Sequence, residues 1–263
     1  MNTILLNVFA FMGAGWARAV ILLLVAGGLW VGLRRARLDR RERLVTWFGV
    51  VVPLLAWLFV VIELAQGGIF RPGAVPAPAI PLAVILPVIL ALPLLVRSRN
   101  VAAAIDAVPP SWLIGLQVYR VLGAVFLVRW AAGQLPGEFA LPAGIGDVLV
   151  GLLALPVAFY VHSSPRGSQA IAYGWNVLGI LDLALALTMG ILTSPDRTQM
   201  LALDQPNVGV GTYPLVMIPT FAVPLSLILH GLSLWQLHRR GRSKPFSRYA
   251  PPLDQASGSF SAH

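Results

Sequence analysis

Seven stretches of this chain are apolar enough and long enough to cross a bilayer as helices, which leaves few alternatives for its fold. A hydrocarbon core about 30 Å thick takes roughly 20 helical residues. Residues 16–33, 44–65, 80–96, 112–132, 143–161, 171–193 and 213–237 meet that length within a turn. Backbone amides in lipid must be satisfied within their own segment, and none of the runs shows the alternation of a barrel strand. The expectation is an all-α polytopic membrane protein: one seven-helix transmembrane domain over residues 1–240, then a tail over 241–263. Charged residues make up 11% of the chain, against about 25% in soluble domains, which excludes water-soluble packing.

The connecting segments predict the orientation. Six arginines crowd residues 34–43, Arg97 and Arg99 follow the third run, Arg166 follows the fifth, and Arg239, Arg240, Arg242, Lys244 and Arg248 follow the seventh. The alternate loops hold only Arg71 and Arg197. By the positive-inside rule the odd-numbered loops and the C-terminus are cytoplasmic and the N-terminus is outside. The net charge of +9 therefore belongs to topology and to anionic lipid headgroups at the cytoplasmic loops, not to a nucleic-acid partner. An Ala-, Gly- and Pro-rich composition with one lysine among nineteen basic residues points to a GC-rich bacterium, hence the bacterial inner membrane. The first residues lack the basic start of a signal peptide, so residues 2–12 are expected to lie at the interface or extend the first span. Residues 241–263, polar and Pro/Ser-rich, are expected to be disordered on the cytoplasmic leaflet. The loop 194–212 is long enough to fold over a cavity mouth.

Charges inside the spans are costly and mark candidate sites. The spans hold Arg18, Arg120 and Arg129, with Glu63, Asp147 and Asp182 as acids. Counted from the predicted span ends, Arg129, Glu63 and Asp147 form an outer layer about 3–6 Å below the interface, with Arg18 and Glu138 nearby. That layer reads as snorkelling and ion pairs or as a charged mouth. An inner layer gathers Gln117, Arg120, Asn176, Asp182 and His230. Gln117 and Arg120 share one helix face, and Ser226, His230 and Ser233 form a polar stripe at i, i+4, i+7. Arg120 can reach Asp182 if spans four and six are neighbours. The cluster either locks helices together or handles a ligand or ion.

Interior prolines at positions 81, 87 and 93 of span three and 214, 219 and 224 of span seven predict bent helices. The turn ALPAGIGD (140–147) predicts close helix packing. Tyr119–Gly123 faintly echoes Trp175–Gly179 as a parallel repeat. Protease, esterase and nucleotide motifs are absent, as are cysteines. A Ser226/His230/Asp182 triad lacks any identifiable oxyanion donor, two isolated histidines make a poor haem site, and the lone Lys244 excludes a retinal Schiff base within the spans. No metal or cofactor is expected, and an enzyme ranks behind a transporter or permease. The alternative is an accessory subunit that holds a membrane-protein partner.

The strings QVYRVLG, LPAGIGD, YGWNVLGILDL and YPLVMIPTFAVPLSLILHGLSLWQL resemble those of a bacterial multi-pass membrane protein family that carries no assigned function. The resemblance runs over about residues 112–237 and implies an inner-membrane protein whose second half holds the distinctive residues.

Overall fold

The structure, a computed structural model, describes residues 15–75, 78–164 and 168–242. Every regular element among them is helical. Seven helices are long and apolar enough to cross a membrane: Ala17–Arg35, Arg40–Gln66, Ala79–Arg97, Ser111–Ala131, Gly137–Ser163, Gln169–Thr193 and Ile218–Arg242. This fits a multi-pass integral membrane protein. The expectations for residues 2–12, for Arg166 and for 243–263 fall outside the described residues.

One end of the bundle is basic and tightly tied. Span two begins with a capping box, in which Glu42 N–H donates to Asp39 Oδ1 at 2.7 Å and Asp39 N–H to Glu42 Oε2 at 3.2 Å, so the arginine-rich turn ends as soon as the apolar run begins. An eight-residue helix, Arg99–Asp106, lies between spans three and four and buries Val101, Ala102, Ala104 and Ile105. Sequence reading treats this segment as loop because it is too short to span. Gln236 Nε2 donates to the carbonyls of Ile105 (2.5 Å) and Val108 (2.7 Å), and Arg240 Nη2 to those of Asp106 and Val108. The final two turns of span seven thereby supply donors to the carbonyls at and just beyond the C-terminus of the short helix. Arg35 stacks over Trp112 at 4.6 Å, fixing the end of span one against the start of span four.

Spans five, seven and four depart most from the sequence expectation. Span five starts at Gly137, six residues before the expected 143, because Pro136 ends the preceding turn and Pro142 sits inside the helix without breaking it. Span seven starts at Ile218 and runs to Arg242, so Pro214 lies before the helix. Span four is not one α-helix: Ser111–Leu116 and Ala124–Ala131 flank a 3₁₀ stretch, Gln117–Gly123. Span seven likewise opens with a π-helical turn, Ile218–Ala222, before the α-helix Val223–Arg242. Pro224 has no amide to give the Thr220 carbonyl in an α-ladder. Trp57 Nε1 of span two donates to that carbonyl at 3.1 Å.

Span five packs between spans four and six, and span seven packs on spans three, four and six. Spans one and two pack on each other and on the short helix.

Candidate functional site

Arg120, in the 3₁₀ stretch of span four, is 3% exposed and is the hub of a buried polar network. Its Nε donates to Asp147 Oδ1 of span five at 2.8 Å, and its Nη2 to Asp182 Oδ2 of span six. Its Nη1 donates to the Gly179 carbonyl at 3.2 Å and lies 3.2 Å from His230 Nε2 of span seven. Because a guanidinium has no acceptor, His230 Nε2 must be the unprotonated nitrogen. Its Nδ1–H then donates to Asn176 Oδ1 at 3.0 Å. Asn176 Nδ2 donates onward to the Ala172 carbonyl (2.8 Å) and to Ser233 Oγ (3.0 Å). The imidazole also packs against Trp175, with ring centroids 5.1 Å apart.

Gln117 joins the same helices one turn away. Its Nε2 donates to the Ser226 carbonyl at 3.0 Å, while its Oε1 is buried without a hydrogen-bond partner among the described residues. Tyr119, which sequence reading cites only for the echo of Trp175–Gly179, has its hydroxyl 2.6 Å from Ser226 Oγ.

The structure thus brings Gln117, Arg120, Asn176, Asp182 and His230 together, and adds Asp147. The expectation that Asp147 belongs to an outer layer is corrected. Counted from Gly137, it sits ten residues into span five, about 15 Å along the axis, at the depth of Arg120. The rest of that layer does not assemble. Glu63 is exposed, and Arg129 donates to Gln134 Oε1 at 2.5 Å instead of to a carboxylate. Among the described residues the only other ion pair joins Arg239 to Asp106 at the basic end.

Glycines make the convergence possible. A Cβ on Gly146 would overlap the Asp182 carboxylate, and one on Gly179 would overlap the His230 ring. The turn ALPAGIGD therefore marks the wall of the cluster, since Gly146 lets span six approach with its acid in place. No group of three His, Asp or Glu residues among those described could hold a metal ion. The two carboxylates and the imidazole converge instead on a guanidinium.

The network borders open space. A cavity of about 450 Å³ extends from Arg120 toward the end opposite the basic loops. Tyr119, Arg120 and Asp147 line its inner part, and Arg18, Arg129 and Tyr213 line it nearer that end. Phe221 and Ala222 of the π-turn and Leu122 and Gly123 of the 3₁₀ stretch form facing walls. Asp147 also lines a second cavity of about 110 Å³, bordered by Phe70, Arg71, Ser194, Asp196 and Val210. The loop that follows span six therefore flanks this opening. It is pinned by Asn207, whose Nδ2 donates to Thr193 Oγ1 and whose Oδ1 accepts from Val210 N–H.

No curated protein matches this chain, and no solved structure does. Residues 77–238 match the model of a family described as a domain of unknown function (DUF8737). The match begins before the expected residue 112 and takes in span three and the short helix with the four spans of the network. It covers more than half of the chain, which therefore belongs to this family.

Proposed function

We propose that this is a small transporter or permease-like protein of the bacterial inner membrane, with its N-terminus outside, in which Arg120 and its partners meet a solute entering from the outer side. One observation carries the reading: an almost fully buried arginine lies on the wall of a 450 Å³ cavity. An arginine that only locked helices together would have no reason to face such a space. The cavity runs between a 3₁₀ stretch and a π-turn, both of which are common at hinges and functional sites within helices. Arg120 binds two carboxylates from two different spans, so exchanging one of them for a solute would change how span four sits against span five or six. The basic loops favour an orientation with this cavity facing out.

The chain has no cysteine, so Ser226→Cys introduces a single thiol on the cavity wall. A charged methanethiosulfonate added outside intact cells should label it. In proteoliposomes, uptake of at least one of radiolabelled benzoate, glucose and leucine should be lost on Asp182→Asn in protein that still folds, because Asp147 continues to pair with Arg120.

A second reading, an accessory subunit of a membrane complex, has its own observation. Spans two and three each bury only 11% of their most apolar stretch, leaving broad faces for a membrane-protein partner as well as for lipid. Collapse of thermal stability on Asp182→Asn, with the engineered thiol unreactive, would favour this reading.

A further inference from the structure

Arg18 and Arg129 set the chemistry of the cavity. Both line it, and neither has a carboxylate partner among the described residues. Arg18 Nη2 donates to the Tyr213 hydroxyl at 3.1 Å and its guanidinium lies 5.6 Å from the centre of that ring. Arg129 donates to a neutral amide. The lining holds Arg18, Arg120 and Arg129 against Asp147 as its single acid, with Asp182 on the far side of Arg120. Counting both acids, three cations face two anions, and the surplus lies at Arg18 and Arg129. Both residues are only partly buried, so at the mouth of the cavity they attract an anion and steer it inward. The remaining wall is largely apolar, with Ile21, Leu122, Val125, Leu215 and Phe221 among its residues.

We propose that the cavity binds an organic anion with an apolar body, its carboxylate or phosphate held by Arg18 and Arg129 and its body against that wall. Arginine suits such a head because its planar fork donates two parallel hydrogen bonds to either group. Neither arginine would need to leave an ion pair to do so. Arg120, already committed to two carboxylates, is the inner boundary of the site and not its primary anion ligand. The anion is a soluble metabolite or the headgroup of an anionic lipid, which share this chemistry.

The inference rests on the transporter reading for its purpose, but binding can be measured without flux. The test is equilibrium binding to the full chain in phosphatidylcholine nanodiscs, using benzoate, benzamide and benzylammonium as an isosteric set carrying negative, zero and positive charge. Saturable benzoate binding is expected, with benzamide and benzylammonium at least about ten-fold weaker. Arg18→Gln combined with Arg129→Gln should weaken benzoate by about ten-fold or more, whereas Arg197→Gln, on the exposed loop after span six, should leave it unchanged. Competition from phosphatidylglycerol in the disc would identify a lipid headgroup as the anion, and benzoate binding that ignores it would identify a soluble one. Equal affinity for benzamide, or full affinity in the double variant with unaltered thermal stability, overturns the proposal. Benzoate binding without uptake of benzoate, glucose or leucine in proteoliposomes would retain the anion site and remove the transporter reading.

Discussion

Spans one to three and spans four to seven are built on different principles. The first three bury 22%, 11% and 11% of their most apolar stretch, whereas span four buries 44% and span seven 50%. Spans one and two contact one another through apolar side chains and few polar ties, such as Trp47 Nε1 to the Ala26 carbonyl, and span three packs on span seven. The later spans share an arginine, two carboxylates, an imidazole and two amides. Lipid tails are as apolar as leucine, so apolar burial gives little reason for one membrane helix to choose another. Polar groups and glycines supply the specificity, and they are concentrated in the second half.

The largest break in that contrast should come from Arg120→Leu. It would strand two carboxylates in a buried site, a loss of about 3–5 kcal/mol when one partner of a buried pair is removed. Thermal unfolding in a single detergent should show a collapse or a failure to accumulate folded protein. Gly146→Ala comes next. Its methyl group would displace Asp182 from Arg120, an overpacking cost of about 1–3 kcal/mol, visible as a lowered midpoint even though alanine is the better helix former. Trp57→Phe tests the polar tie from span two to the π-turn of span seven, and should cost about 1 kcal/mol for one hydrogen bond. At the small end, Ile89→Ala on span three alters a residue 58% exposed and should stay within about 0.5 kcal/mol. If Ile89→Ala cost as much as Gly146→Ala, the two halves would not differ in the way described.

Sequence reading reached the helix count because length and hydropathy dictate it, and it reached Gln117, Arg120, Asn176, Asp182 and His230 because charge and amide groups in lipid demand partners. It misplaced Asp147 for one reason. Depth was counted from residue 143, and Pro136 rather than Pro142 marks the start of the helix. A proline near the start of an apolar run can sit before a helix or within it, and local propensity does not decide between these. The 3₁₀ stretch in span four was likewise invisible. Gln117–Gly123 has an ordinary composition, and its tighter winding is apparent only against the helices packed on it. Glycine spacing carried more information than its reading as general close packing allowed, because Gly146 and Gly179 each abut one particular polar side chain.

The hub also constrains how the protein can be made. Arg120 leaves the ribosome before Asp147, Asp182 or His230 exists, so span four must enter the bilayer carrying a cation that has none of its partners. Each later span supplies one of them, and the last arrives only with span seven. Biogenesis of this chain is therefore a staged neutralisation, in which a nascent protein halted after span four should be retained by the insertion machinery or degraded, while one that reaches span six already holds both carboxylates.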